Sequence, residues 1–340
     1  MEDETSRRNI SFNQILGPLL AALSCFFFAI SSLFVKLLGE IPPQEVVFFR
    51  CLVQFVFLLP PLIYARVPIF GDVHHLPCLF IRALAGTFAL CCQFYAFQHM
   101  PLADATVIVF SSPIFTGILA YFILGESWGL FNFLGTTLCF IGIILIARPT
   151  FMFPREVDPS FNGDWQQATA SLVALTGAIL TSIALISLRK LAAISYLVPV
   201  LYVAMAGVIL TAAGVLVTGS FQSVLCGSSH QWLLLIIGLC GIAGQSLLTK
   251  SLQLEQAGII ALVRTLDIVF AFVLQLVFLD YQASVYSLIG AALIITCNVL
   301  VILNKWMSVS KPNGEQSIIA SLRVKVNECK CFFLKGKRNN

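Results

Sequence analysis

Charged side chains are scarce in this sequence. Only 11% of the 340 residues are Asp, Glu, Lys or Arg, whereas a soluble domain carries about 25%. Because 59% of the residues are apolar, a soluble fold of this length would have too little polar surface to stay hydrated, and the composition equally excludes a disordered or collagen-like chain. The sequence therefore predicts an all-α integral membrane protein that crosses the bilayer several times.

The residue patterns that support enzymatic or ATP-driven chemistry are also missing. The sequence contains no glycine-rich phosphate-binding loop. Neither its four histidines nor its eleven cysteines show metal-ligand spacing, and no Ser-His-Asp arrangement stands out. We therefore expect a protein that is not an enzyme and that uses no cofactor or metal. We also expect no nucleic-acid partner, because the placement of the basic residues across the membrane explains the net charge of +4.

Long apolar runs fill most of the chain. A helix crosses the hydrocarbon core with about 20 apolar residues, and the runs here are continuous, unlike the short alternating segments of a β-barrel. The first run is too long for a signal peptide and is followed by Lys36, so we interpret it as a membrane span. We predict ten transmembrane helices, at residues 15–37, 46–64, 77–98, 104–124, 129–147, 168–188, 196–217, 232–253, 258–279 and 284–303.

The distribution of Lys and Arg predicts the orientation. If the N-terminal segment 1–14 is cytoplasmic, most of the cations outside the spans are cytoplasmic too, including those of the tail at 304–340. Both termini are therefore predicted to be cytoplasmic. The membrane that holds the protein is the plasma membrane, the endoplasmic reticulum or the Golgi, and the sequence does not choose among them. The basic tail either attracts anionic lipid or only retains the topology, and its Cys329 and Cys331 are either acylated or free thiols.

Two segments of the sequence resemble each other. Residues 103–126 and 257–280 align at an offset of 154, and each ends on an acidic residue, Glu126 or Asp280. Because each half would contain five spans, an odd number, the second half would enter the bilayer from the opposite side. This predicts two inverted five-helix repeats around a central cavity, the architecture of alternating-access transporters. The predicted halves and the linker between them are 15–147, 148–167 and 168–303.

The fourth span shows a family resemblance. Met100–Thr106, Phe110–Thr116 and Leu124–Glu126 look like the fourth-span signature of the EamA-type drug/metabolite transporter superfamily, and Arg264–Phe272 supports the match. In detail the chain resembles the group G branch of solute carrier family 35, relatives of the nucleotide-sugar transporters. The resemblance extends over the ten predicted spans and implies a ten-helix fold with a central cavity. It departs at position 264, where the branch usually has Lys.

Charged side chains inside the apolar spans are the first candidates for a substrate site. A charge at membrane depth costs about 3 kcal/mol or more, so each one needs a role. Arg264 and Asp267 have the i, i+3 spacing of one helix face, which fits a structural ion pair, an anion anchor held by a carboxylate that also takes a proton, or both. The other candidates are cations, with snorkelling to the headgroups as the alternative: Arg50, Arg82, Lys250 and Lys36. Because cations outnumber the clear anion, the site is predicted to bind an organic anion, either a carboxylate or a phosphate-bearing metabolite.

Neutral polar side chains are predicted to orient this guest, although helix-to-helix hydrogen bonding is the commoner role for each of them. They are Gln93, Tyr95, Gln98, Ser111, Ser112, Gln245, Thr249 and Thr265. Pro113 has no backbone N–H and frees a carbonyl near mid-span, so it is predicted to kink or gate the fourth span. Its counterpart in the repeat is Asp267, so both halves place an irregular or charged feature at the same depth.

The sequence favours a secondary-active or facilitative transporter of small organic anions that works by alternating access, as a monomer or a homodimer. Two other functions stay open. One is a regulatory or interaction protein that keeps the transporter fold and acts through its basic tail. The other, which no motif supports, is an integral membrane enzyme.

Overall fold

The computed structural model is helical throughout the residues that it describes, which are 2–38, 43–64, 66, 75–99, 102–126, 130–147, 164–218, 228–278 and 284–310. These ranges contain no strand, which confirms the predicted all-α class. Residues 148–163 of the predicted linker 148–167 and residues 311–340 of the predicted tail 304–340, with Cys329 and Cys331, lie outside them. The helices are α1 (Glu2–Leu37), α2 (Pro43–Tyr64), α3 (Leu76–His99), α4 (Leu102–Val109), α5 (Ser112–Leu119), which a π-helical turn (Ala120–Leu124) continues, α6 (Leu130–Ala147), α7 (Asp164–Lys190), α8 (Leu197–Thr218), α9 (Ser228–Leu254), α10 (Ala257–Val263), α11 (Leu266–Phe278) and α12 (Val285–Ser310).

Nine stretches of the described chain are long and apolar enough to cross a membrane. A helix satisfies its own backbone N–H and C=O groups, which is why continuous apolar runs become helices in hydrocarbon. The predicted span 129–147 corresponds to a shorter apolar helix, Asn132–Ala147. The count of ten spans therefore stays a prediction.

Two of the predicted spans are broken helices. The fourth divides into α4 and α5, and the ninth divides into α10 and α11. At each break a hydroxyl group donates to a carbonyl three residues earlier: Ser111 Oγ to Ile108 O at 2.6 Å, and Thr265 Oγ1 to Leu262 O at 2.8 Å. Pro113, which cannot donate a backbone hydrogen bond, lies in the first turn of α5. The two hydroxyl groups are 154 residues apart, the offset of the sequence repeat.

The larger helix contacts come in matched pairs. α1 packs on α9 as α3 packs on α7, α1 packs on α11 as α5 packs on α7, and α2 packs on α9 as α3 packs on α8. The match follows when the helices α1 to α6 of the first half are exchanged, in order, for the helices α7 to α12 of the second half. The contacts α2–α8 and α6–α12 are their own matches. Several smaller contacts have no match: α5 packs on α10 and α1 packs on α12, for example, whereas α4–α11 and α6–α7 make at most isolated contacts among the described residues.

The helices α6 and α12 cross at a pair of glycines. A Cβ atom added to Gly290 would lie 2.6 Å from Gly142 O and 2.9 Å from Leu145 Cβ. A Cβ atom added to Gly142 would lie 2.7 Å from Ile294 Cγ1. Small residues allow helix backbones to approach closely in a membrane, where packing drives helix association. Gly142 and Gly290 therefore set the spacing of the last helices of the two halves.

We expect Gly290→Ala to destabilise the protein, because the new methyl group meets a backbone oxygen and forces α6 and α12 apart. Such overpacking costs about 1–3 kcal/mol. The matched control is Gly214→Ala on α8, where an added Cβ has nothing within 4 Å. Thermal unfolding in detergent compares the two variants, and equal melting temperatures would contradict the close crossing.

Candidate functional site

Arg82, on α3, faces the protein interior. The residue is only 5% exposed, and its Nη2 donates a hydrogen bond to Gln245 Oε1 on α9 at 3.1 Å. Its Nε is buried and has no hydrogen-bond partner among the described residues. Arg82 therefore does not snorkel to the headgroups, and one of its N–H groups is left for another acceptor.

Arg50, on α2, lies against an aromatic ring and a glycine. Its guanidinium carbon is 5.9 Å from the ring centroid of Phe28 on α1, within the range of a cation–π contact. A Cβ atom on Gly241 of α9 would lie 2.9 Å from Arg50 Nε, so the missing side chain leaves room for the guanidinium. The neighbouring Gly238 and Gly244 admit side chains of α2 and α1 in the same way. The glycines of α9 thus let a charged side chain lie between packed helices.

Arg264 and Asp267 flank the break between α10 and α11. Although the sequence places them at i, i+3, they form no ion pair, since no N–O distance between these described side chains is 4.0 Å or less. The helix is interrupted between them: α10 ends at Val263 and α11 begins at Leu266, with a turn at Arg264 and Thr265. Asp267 N–H instead donates to Arg264 O at 3.1 Å, and Arg264 Nε is buried without a hydrogen-bond partner.

The three arginines and Asp267 lie close enough for their charges to interact. The Asp267 carboxylate interacts with the charges of Arg264 and Arg50, and the charge of Arg82 interacts with that of Arg264. We call Arg50, Arg82, Arg264 and Asp267 the arginine cluster. It contains three guanidinium groups and one carboxylate. Excess positive charge in a low-dielectric site favours an anion, and guanidinium groups can bind a carboxylate or a phosphate with two parallel hydrogen bonds.

Thr265 stabilises the break beside the cluster. Besides its bond to Leu262 O, Thr265 Oγ1 accepts a hydrogen bond from Asn298 Nδ2 of α12 at 3.3 Å. Asn298 also donates to Ile294 O at 2.9 Å. From α1, the buried Cys25 Sγ lies 3.8 Å from Val263 O, at the end of α10. The structure therefore commits the predicted Thr265 hydroxyl to protein contacts.

Sequence reasoning missed Asn298, Cys25 and Phe28. Asn298 is a single polar residue within an apolar run, and the Cys25 thiol was interpreted as a small hydrophobic group. Phe28 is one of 29 phenylalanines, so nothing in the sequence distinguished it from the others. Only the position of a polar residue opposite the predicted mid-span irregularity could have singled out Asn298.

The polar candidates of the first half lie at the break between α4 and α5. Ser111 Oγ bonds its own helix, and the Ser112 carbonyl accepts a hydrogen bond from Ser182 Oγ of α7 at 3.0 Å. Gln93 Nε2 of α3 donates to Thr181 Oγ1 of α7 at 3.3 Å. Among the described residues, these three candidates make no hydrogen bond to the arginine cluster. The Ser111 hydroxyl thus bonds within the fourth span, whereas the Ser112 carbonyl and Gln93 contact α7 of the second half.

The remaining candidates are dispersed. Tyr95 is exposed on α3. Lys250 is exposed near the end of α9, and its Nζ lies 6.0 Å from the ring centroid of Tyr196 in the connection between α7 and α8, outside the arginine cluster. Thr249 Oγ1 donates to its own helix. The side chains of Lys36 and Gln98 lie outside the described residues.

Comparisons with known proteins agree on membrane transport. The model of the EamA-like transporter family matches residues 15–148. The chain is similar to solute carrier family 35 member G1 of Homo sapiens, with 34% identity over 300 residues that cover 87% of this chain and 81% of that protein. It is also similar to the pseudopaline exporter CntI of Pseudomonas aeruginosa, with 28% identity over 75% of this chain and 84% of the exporter. One crystal structure shares the fold with a TM-score of 0.71 at 15% identity, over 85% of this chain and 98% of that chain.

We expect Gln245→Leu to lower the free energy of unfolding by about 1–3 kcal/mol, because it leaves the buried Nη2 of Arg82 without its acceptor. The matched control is Gln93→Leu, which loses a bond to the neutral hydroxyl of Thr181 and should lose only about 0.5–1.5 kcal/mol. The double variant Gln245→Leu/Arg82→Met removes both partners and should be more stable than Gln245→Leu alone. Denaturant unfolding in detergent measures these three variants and the single variant Arg82→Met, and strictly additive effects of Gln245→Leu and Arg82→Met would argue against the Arg82–Gln245 contact.

Proposed function

The chain belongs to the EamA-like transporter family, and we propose that it transports small organic anions across the membrane by alternating access. Its function is thus transport rather than enzymatic conversion. The observation that carries the choice of substrate is the arginine cluster, in which the charges of three guanidinium groups and one carboxylate interact among apolar helices without an ion pair between them.

The unfavourable energy of this cluster supports an anionic guest. Each charge at membrane depth costs about 3 kcal/mol or more on insertion scales. A buried charge that has no oppositely charged partner keeps this cost uncompensated. None of the three arginines has a described carboxylate within ion-pair distance, and Arg82 and Arg264 each keep a buried Nε without a partner among the described residues. A bound anion would compensate the excess charge and accept hydrogen bonds from these groups.

The chemical class of the guest follows from the geometry of the guanidinium group. Its planar donors match two oxygens of a carboxylate or a phosphate, so either kind of metabolite fits the proposal. In the proposed site, Arg264 anchors the anion, Arg50 and Arg82 add positive charge, and Asp267 limits the net charge when the site is empty. Gln245 positions Arg82 for this purpose.

The proposed mechanism rests on the resemblance between the halves. The matched helix contacts and the two breaks at an offset of 154 residues support an inverted repeat. In transporters built this way, broken helices meet near the bilayer midplane and the halves rock against each other around a fixed site. The N-terminal ends of α5 and α11 begin at the breaks, so their helix dipoles favour negative charge there.

The topology is part of the proposal. The placement of the basic residues favours cytoplasmic termini. The proposal applies equally to the plasma membrane, the endoplasmic reticulum and the Golgi. The proposed transporter is secondary-active or facilitative, acts as a monomer or a homodimer, and has the bilayer as its surroundings.

Uptake into liposomes tests the anion site. Vesicles with the purified protein are screened with labelled dicarboxylates and nucleotide sugars, and we expect saturable uptake of at least one anion. Arg264→Gln should raise the half-saturation concentration about 10- to 100-fold, because a hydrogen bond to a charged group is worth about 1.5–3 kcal/mol. The control is Lys190→Gln, which removes a cation from the exposed end of α7 and should leave uptake unchanged.

Two results would contradict the proposed function. One is uptake no faster than in empty vesicles for every anion tried, with the protein correctly folded. The other is an anion whose half-saturation concentration responds equally to Arg264→Gln and to Lys190→Gln, since the cluster would then not contact it.

A further inference from the structure

A second polar group lies at one end of the helix bundle, away from the arginine cluster. Glu126 follows the π-helical turn after α5, where Gly125 adopts a left-handed conformation with φ of 64° that favours glycine. One carboxylate oxygen of Glu126 accepts a hydrogen bond from Arg189 Nε at 3.1 Å, and the other accepts one from the backbone N–H of Ala257 at 2.9 Å. We call the Arg189 Nε–H and the Ala257 N–H the Glu126 socket.

The socket also joins the ends of two helices. Arg189, in the last turn of α7, donates from Nη1 to Leu252 O at 2.9 Å and to Gln253 O at 3.0 Å, near the C-terminal end of α9. Ala257 is the first residue of α10. The guanidinium thus meets the negative end of the α9 dipole, and the carboxylate meets the positive end of the α10 dipole.

Glu126 joins the two halves of the chain. It belongs to the first half, whereas Arg189, Ala257 and the α9 carbonyl groups belong to the second. Beside it, α5 packs on α10 so closely that a Cβ atom on Gly258 would lie 4.0 Å from the Cα atom of Gly117. We call this contact between α5 and α10 the hub seam.

The hub seam is one of the places where the two halves of the structure are not equivalent. Its counterpart under exchange of the halves is the contact between α4 and α11, and these helices make at most isolated contacts among the described residues. Among those residues, α5 and α10 are thus packed at the Glu126 end more than α4 and α11 are at the corresponding position near the other end. In an alternating-access cycle, this arrangement corresponds to closure at the Glu126 end.

We propose that Glu126 in its socket is a latch that holds the hub seam closed, and that the seam opens when the carboxylate leaves Arg189 and Ala257. This proposal rests on the proposed alternating-access function. Under the predicted topology, the latch lies at the cytoplasmic end.

The burial of the pair suits a reversible contact. The side chains of Arg189 and Glu126 are 25% and 14% exposed. A fully exposed pair contributes little to stability, and breaking a fully buried pair strands two charges away from water. At intermediate exposure, water can replace the hydrogen bonds on opening.

The latch differs from a simple ion pair because it requires the anion at position 126 and the cation at position 189, and not the reverse. If the charges are exchanged, as in Glu126→Arg/Arg189→Glu, the cation faces the Ala257 N–H and the anion faces the α9 carbonyl groups. Both then oppose the helix dipoles. The exchange should therefore fail to restore closure, whereas a contact that depended only on opposite charge would be restored.

A cysteine reporter in the hub seam tests the latch without any substrate. Gly258→Cys places a thiol opposite Gly117, and the purified protein in lipid nanodiscs is labelled with a membrane-impermeant maleimide. The same variants without the reporter give the background from native cysteines. We expect Glu126→Gln and Arg189→Gln each to increase the labelling rate of the reporter several-fold. The double variant should exceed neither single variant appreciably, Lys190→Gln should label like the wild type, and the exchanged pair should label like the single variants.

Each other outcome counts against the latch. Unchanged labelling in both single variants, with a lower melting temperature, would identify a static clamp. Wild-type labelling of the exchanged pair would overturn the socket in favour of simple charge attraction. If the glutamine variants fail to fold, Glu126→Asp decides, because the shorter side chain keeps the charge but cannot reach both donors: faster labelling supports the latch and wild-type labelling contradicts it.

The assay separates this proposal from the proposed function. No anion is present, so a response of the reporter stands even if no anion is transported. Conversely, anion uptake that depends on Arg264 together with an unresponsive reporter would overturn the latch and leave the anion site intact.

Discussion

The placement of three guanidinium groups between apolar helices is the constraint on which the rest of this structure depends. Each group has a different environment. Arg82 bonds the amide of Gln245, Arg50 lies against Phe28, and Arg264 occupies the turn between α10 and α11. None of these arrangements supplies a described carboxylate at ion-pair distance. The cluster is therefore folded but electrostatically incomplete, which is the property expected of a site that receives an anion rather than of a structural ion network.

The broken helices make this arrangement possible. In the ninth span, Arg264 and Asp267 flank the break and form no ion pair, although their charges interact. Thr265 donates to the Leu262 carbonyl at the break, and Asn298 donates to the Thr265 hydroxyl. The equivalent bond of Ser111 in the first half shows that the same local device is used twice. Non-helical backbone at membrane depth is tolerated because it is covered by protein in both places.

The sequence alone predicts the helical class, the position of the apolar runs and the repeat offset, because these depend on local composition. It does not predict that Arg264 and Asp267 stay apart, since the i, i+3 rule assumes a continuous helix. The sequence also does not predict contacts between segments that are far apart along the chain. Arg82 and Gln245 are 163 residues apart, and Arg189 and Glu126 are 63 apart.

Lys250 illustrates the same limit, because the sequence shows that a cation lies in an apolar run but does not show which way its side chain points. In the structure Lys250 is exposed near the helix end. Depth along a span follows from the sequence, but the direction of a side chain depends on the rotation of the helix against its neighbours.

The two polar groups of the protein are connected by the shortest helices in the fold. α10 has seven residues, Ala257–Val263, and so is about 10 Å long. Its first residue donates to the latch carboxylate, and Arg264 of the arginine cluster follows its last residue. α5 and its π-helical turn lead from the first-half break to Glu126. In the proposed cycle, a shift of Arg264 toward a bound anion would be carried by α10 to Ala257, the donor to the latch carboxylate. The two proposals therefore act on the same short helix, and coupling between a central site and a gate requires such a shared element.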